Sequence, residues 1–178
     1  MGPVVIEDIP VTGFADASAL FTHAVVLMDQ PGQKLMTYVN VHVANTAWHN
    51  PRLKKILQQA DIVYPDGAGI VWASKLLGAP LPCRLEAAGW VFDFVSFMAA
   101  HQKTVYFIAG EPGVAQKALT IIEKRFPHHT IIGIHHGFIL KDPALRQQGS
   151  VGIYCPGGEI GPPHTISFGR NRPTLSGR

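Results

Sequence analysis

The chain has 178 residues, 47% apolar and 15% charged, with 15 Lys+Arg against 12 Asp+Glu for a formal charge of +3. That is enough apolar material for one compact domain, and a mild positive balance without a Lys/Arg run argues against nucleic acid as a partner. Cys83 and Cys155 fit no C-x-x-C pattern, no apolar run is long enough to span a bilayer, and Glu7, Asp8, Pro10 and Asp16 interrupt any amino-terminal apolar stretch; a disulfide framework, a zinc site, a membrane span and a signal peptide are therefore not expected, and a soluble chain in the reduced cytosol is.

Taken in order, Val4-Val5-Ile6 and Ile9-Pro10-Val11 read as a short edge strand and turn, since Pro10 cannot donate to a central ladder. From Ala15 to Met28 apolar residues recur at three-and-four spacing, the period of a helix, which Gln30-Pro31-Gly32 ends. Leu35 to Val39 is a buried strand closing on Asn40. A helical turn or two over Val41 to Trp48 follows, and Asn50-Pro51 opens a second short helix through Gln59, because proline suits the first helical position. Asp61 to Tyr64 is the next strand, broken by Pro65, and after Asp66 and two glycines an apolar helix runs from Ile70 to Leu77. Beyond a Pro-rich loop, Glu86 to His101 is a strongly apolar helix. Thr104 to Ala109 is the clearest strand, β-branched and aromatic, and Gly110-Glu111-Pro112-Gly113 turns it into a helix over Val114 to Phe126. Thr130 to Ile134 is a further strand.

Strands without polar alternation, separated by helices, predict an α/β fold with a mainly parallel sheet covered on both faces. The carboxyl ends of its strands then carry Asn40, Asp66, Gly110 to Gly113 and His135-His136-Gly137, and open α/β sheets bind ligands at that rim. Asp66 is either a carboxylate placed for chemistry or only a helix N-cap with Gly67 as turn residue. The Gly110 to Gly113 helix start offers unpaired amides to an anion, although Pro112 has no amide hydrogen and Glu111 carries the wrong sign for phosphate. His128-His129 suit a helix end, adjacent His135 and His136 make poor metal geometry, and Trp48, Trp72 and Trp90 are expected in the core. No metal is expected.

The chain divides at about residue 148. Residues 1–148 form the α/β domain, and residues 149–178, rich in glycine and proline, are expected to be a disordered, loosely packed or non-native tail in which only Val151 to Tyr154 keeps a strand-like period.

Three segments, taken together, resemble the WecG/TagA/CpsF family of bacterial glycosyltransferases over Val4 to Leu140: the strand ending in Asn40, the stretch from Ala60 to Trp72, and Val105 to Ala115, later joined by His135-His136-Gly137-Phe138. The resemblance implies a Rossmann-like α/β enzyme that transfers N-acetylmannosamine, its uronic acid or another hexose from a UDP-sugar. The acceptor would be a sugar on a polyprenyl diphosphate lipid, at the inner face of the cytoplasmic membrane, with peripheral membrane contact. It further implies inversion at the sugar, no cofactor or obligatory metal, and Asp66 as general base. Substrate-binding residues implied with it are Thr37, Asn40, Gly67, Arg84, Gly110, Gly113, His136 and Gly137. The chain departs from the family at Tyr38, where a threonine is usual and Thr37 stands one place earlier. It departs again at Glu86 to Trp90, where the family's Gly-x-Asp element is missing, and after Gln148, where nothing matches its Gly-x-Pro-x-Gln-Glu-like loop. A truncated or divergent relative is the expectation. The donor sugar and the oligomeric state, a homo-oligomer included, stay open. Two other classes compete: a catalytically inactive nucleotide-sugar binding or assembly module, and a nucleotide-dependent oxidoreductase, which the lack of an early G-x-G-x-x-G disfavours.

Overall fold

The computed structural model describes residues 2–138 and the backbone of residues 166–168. The chain opens with a hairpin, β1 (Val4–Ile6) and β2 (Ile9–Val11), paired antiparallel. Glu7 and Asp8 between them both take positive φ, 50° and 62°, the backbone twist that a two-residue hairpin turn requires. Pro10 stands opposite Val5 in this two-stranded sheet, where a missing donor is tolerated. Helix α1 (Ala17–Met28) follows, capped by Asp16, whose carboxylate accepts from the Ala19 amide at 2.8 Å.

The centre of the fold is β3 (Lys34–Val39), α2 (Val41–His49), α3 (Pro51–Gln59), β4 (Ile62–Pro65) and α4 (Ala68–Leu76). β3 and β4 pair in parallel, with Thr37 opposite Val63 and Tyr38 opposite Tyr64. Successive side chains leave on opposite faces, so each strand feeds two cores. Met36, Ile62 and Tyr64 pack with Leu20, Phe21 and Trp90 on one face, while Val39 and Val63 pack with Ala47, Leu53, Leu57 and Ile70 and the β1–β2 hairpin on the other. The first core is aromatic: Phe21 meets Trp90 and Phe94 edge-on with ring centroids 5.3 Å apart, and Trp90 meets Tyr64 at 5.8 Å. Each such pair adds about 0.5–1.5 kcal/mol beyond the area it buries.

Helix α5 (Ala87–Ala100) supplies Trp90 and Phe94 to that core and joins it to a second unit, β5 (Val105–Ile108), α6 (Val114–Arg125) and β6 (Ile131–His135). Phe92 of α5 stacks on Phe126 at 6.3 Å, and Val105 packs against the aromatic core. β5 and β6 pair in parallel, with an irregularity between Val105 and Tyr106.

The fold is therefore α/β, with both faces of the β3–β4 pair covered by helices. The single, mainly parallel sheet expected from the sequence needs correction. The two parallel pairs carry separate ladders, and the free edge of β3 is taken by β7 (Ile166–Phe168), antiparallel to it with Met36 opposite Ile166. β7 belongs to the Gly/Pro-rich tail, in a part where no strand period was legible; the remainder of that tail, Val151 to Tyr154 included, lies outside the described residues.

Candidate active site

Two parallel neighbours, each followed at once by a helix, leave two helix starts side by side at one end of the β3–β4 pair. Asn40 caps α2, its side chain accepting from the Val43 amide at 2.9 Å. Gly67 is the residue before α4, with φ of 86°, a conformation that a side chain would strain. A methyl group there would lie 4.0 Å from the Asn40 Cβ, and one at Gly69 would fall 2.3 Å from Val41 Cγ2, so the two helix starts touch.

Asp66 sits between them. Its amide donates to the Val39 carbonyl at 2.9 Å, extending the ladder one step past the strands, and its side chain is half-buried. It is not the N-cap. Gly67 occupies that position and α4 has no side-chain cap, so the reading of Asp66 as a cap with Gly67 as turn residue is corrected. The dipoles of α2 and α4 both present their positive ends here. Asp66 also acts on two tyrosines that sequence reasoning passed over. Burial first, and the Asp66 charge second, hold the phenols of Tyr38 and Tyr64 above their ordinary range, with Tyr38 adding a third upward push on Tyr64. The two rings lie 6.2 Å apart. Their opposed register was the available signal, since residues 38 and 64 each stand two before the strand-end Asn40 and Asp66.

The loop after α4 returns to this end. Leu85 donates its amide to the Pro65 carbonyl at 2.8 Å, which brings the backbone of Arg84 beside the Asp66 turn. The Arg84 side chain is 60% exposed and lies 3.7 Å from Glu86, a pair that water screens to little stabilisation and that leaves the guanidinium open to an incoming anion. Thr37, by contrast, is buried at 8% exposure in the body of β3, and is not brought to this surface.

The other expected residues gather at the carboxyl ends of β5 and β6. Gly113, with φ of 86°, precedes α6 in the left-handed region without a side-chain cap, and the Val114 amide donates to the Glu111 carbonyl at 3.0 Å. Gly137 donates its amide to the Gly110 carbonyl at 2.7 Å, tying the two turns together. Between them lies an open cleft of about 270 Å³ lined by Gly113, Gln116, His135 and His136. Nδ1 of His136 is buried without a hydrogen-bond partner among the described residues, while the neighbouring His135 Nδ1 stands 2.7 Å from the His136 carbonyl. The expected residues thus form two groups, Asn40–Asp66–Gly67–Arg84 and Gly110–Gly113–His136–Gly137, each at the carboxyl ends of a parallel pair.

Comparison with known proteins bears on what such ends do. The N-acetylglucosaminyldiphosphoundecaprenol N-acetyl-beta-D-mannosaminyltransferase of Bacillus spizizenii is 28% identical over 112 residues, 63% of this chain and 44% of that protein. The Staphylococcus aureus protein of the same name is 24% identical over 100 residues, 56% of this chain and 39% of that protein. The chain thus spans less than half the length of these relatives. The sequence model of the glycosyl transferase WecG/TagA/CpsF family matches residues 5–149, which include both parallel pairs and both groups of rim residues. The chain belongs to the WecG/TagA/CpsF family of glycosyl transferases.

Proposed function

We propose that the protein transfers a hexose of the N-acetylmannosamine type from a UDP-sugar to a sugar carried on a polyprenyl diphosphate lipid, with inversion and with Asp66 as general base. The observation that carries this reading is the position of Asp66, a half-buried carboxylate one residue beyond β4, flanked by the starts of α2 and α4. The names of the relatives supply the acceptor class and a β-linked product. A β-linkage made from an α-linked nucleotide sugar needs a single displacement at the anomeric carbon. The acceptor hydroxyl oxygen bonds to that carbon as its bond to the diphosphate oxygen breaks. The hydroxyl proton passes to the Asp66 carboxylate, and UDP departs with the bonding pair. A carboxylate at the rim of the sheet, one residue beyond β4, suits the first task.

The leaving diphosphate needs donors that do not have to reorganise. Amides at the start of α6, around Gly113, and the exposed guanidinium of Arg84 are the groups of this chain suited to it. In this reading Gly110, His136 and Gly137 shape the nucleotide cleft. Asn40 holds the start of α2 against the Asp66 turn, and Thr37 supports β3 from within. The two parallel pairs, each leading through a glycine into a helix at its carboxyl end, are read as parts of one Rossmann-like arrangement.

Incubation with UDP-N-acetylmannosamine and N-acetylglucosaminyl diphosphoundecaprenol, followed by mass spectrometry of the lipid fraction, tests the reading. A lipid-linked disaccharide formed in step with released UDP is the expected result. UDP binding by titration calorimetry without any product would instead identify a binding module.

A further inference from the structure

Three tryptophans were expected in the core, and only Trp90 is there, at 5% exposure. Trp72 is 68% exposed and Trp48 63%. Trp72 and Leu76 stand four residues apart on α4 and so share a face, with Leu76 87% exposed and Leu77 beside it 60% exposed. On α2, Val41 and Trp48 are seven apart, two turns along one face, and Val41 is 50% exposed. The Val41–Gly69 contact brings the two helices together at the Asp66 end. Scattered surface hydrophobes need no explanation, but this many large ones on adjoining helices do.

Charge names the occupant. Helices α2, α3 and α4 contain no acidic residue, yet they carry Arg52, Lys54, Lys55 and Lys75. Lys75 lies three residues from Trp72 and so on its face, and the Lys54 ammonium stands 5.7 Å from the centre of the Trp48 ring. A symmetric pairing of two copies through such a face would set like charges together. One carboxylate, Asp8 of the β1–β2 turn, pairs with Lys54 at 2.8 Å, and Lys55 and Lys75 keep the balance of the surface positive. Tryptophan and leucine flanked by lysine in excess over carboxylate is the composition that seats a helix in the headgroup layer of an anionic bilayer.

We propose that the outward face of α4, with Val41 and Trp48 of α2, is a docking surface for an anionic lipid bilayer. This rests on the reading of a membrane-anchored acceptor. α2 and α4 both begin at the Asp66 turn, so a bilayer held against them brings that turn to the layer where a polyprenyl diphosphate headgroup lies.

The test is flotation of the whole chain with vesicles of equal parts phosphatidylglycerol and phosphatidylcholine, free of lipid-linked sugar, against vesicles of phosphatidylcholine alone. The protein should float with the anionic vesicles, less so as salt rises. The double variant W72E/L76E, its fold checked by circular dichroism, should bind about tenfold or more weakly. Should that variant not fold, W72F serves instead: lipid-borne bromine should quench tryptophan emission in the wild type and quench W72F markedly less. Equal binding to both vesicle types, no flotation at low salt, or unchanged binding and quenching in the variants would overturn the proposal. So would a concentration-dependent dimer that W72E/L76E dissociates, because a second copy would then cover the face. Flotation without sugar transfer upholds docking while the transferase reading fails. Transfer to a short-prenyl, water-soluble acceptor by a protein that does not float does the reverse.

Discussion

Tyr64 shows how closely the candidate site is joined to the core. Its ring is buried at 1% exposure, and its hydroxyl has no hydrogen-bond partner among the described residues. A buried hydroxyl left unpaired costs about 1–3 kcal/mol. Tyr64→Phe is therefore expected to leave stability at neutral pH unchanged or to raise it by about 1 kcal/mol. The same substitution has a pH signature. Burial, then Asp66, then Tyr38 hold the folded phenol above its ordinary 10.0. The unfolded phenol ionises first as pH rises, so the neutral folded form contributes its full stability below the ordinary value and loses it progressively above. Urea unfolding should show the wild type weakening above about pH 10, and Tyr64→Phe weakening less. A variant less stable at neutral pH would mean that the hydroxyl is satisfied in solution.

At the scale of elements, the junction of α2 and α4 makes a sharp prediction. Alanine normally improves a helix interior over glycine by about 1 kcal/mol. At Gly69 the added methyl would fall 2.3 Å from Cγ2 of Val41, a β-branched side chain with little rotamer freedom. Gly69→Ala should therefore destabilise by about 1–3 kcal/mol, and Val41→Ala in the same chain should restore most of the loss. Denaturant midpoints of the two single variants and the double variant check this. The α6 junction makes another. UDP should slow hydrogen exchange at the amides of Gly113 to Ala115 if they hold diphosphate, and protection confined to other segments would move the nucleotide away.

These junctions were the legible part of the sequence. Pro65 ending a strand, glycines opening a helix, and Asn50-Pro51 starting another are local signals whose chemistry does not depend on the rest of the chain, and the elements fell within two residues of where they pointed. What escaped was decided by distant partners. Helix α4, Ala-Gly-Ile-Val-Trp-Ala-Ser-Lys-Leu, is apolar nearly all round, so its period cannot say whether Ile70 or Trp72 faces inward. Whether parallel strands share one ladder depends on which edges meet, and β7 lies far from β3 in the chain. Sequence left Asp66 open between a cap and a carboxylate placed for chemistry, because a single residue decides which position opens the helix, and here Gly67 takes the cap position itself.

Across the molecule, the chain sets two strand-to-helix rims in one α/β fold and leaves an apolar, positively charged surface beside the first. In the proposed function the α6 rim would take the nucleotide, the Asp66 rim the acceptor proton, and the α2–α4 face would meet the bilayer. The proposed role of Asp66 is central to this, and turnover of the whole protein tests it most directly. Asp66→Asn keeps the shape of the side chain and removes its basicity. Since Asp66 is not the cap of α4, the substitution should leave the fold in place, and UDP affinity should stay near the wild-type value if the diphosphate is held at the start of α6 as proposed. At saturating donor, the initial rate of lipid-linked disaccharide formation should fall about 100- to 10,000-fold, the usual loss for a positioned base. An Asp66→Asn protein that turns over at the wild-type rate would contradict the account.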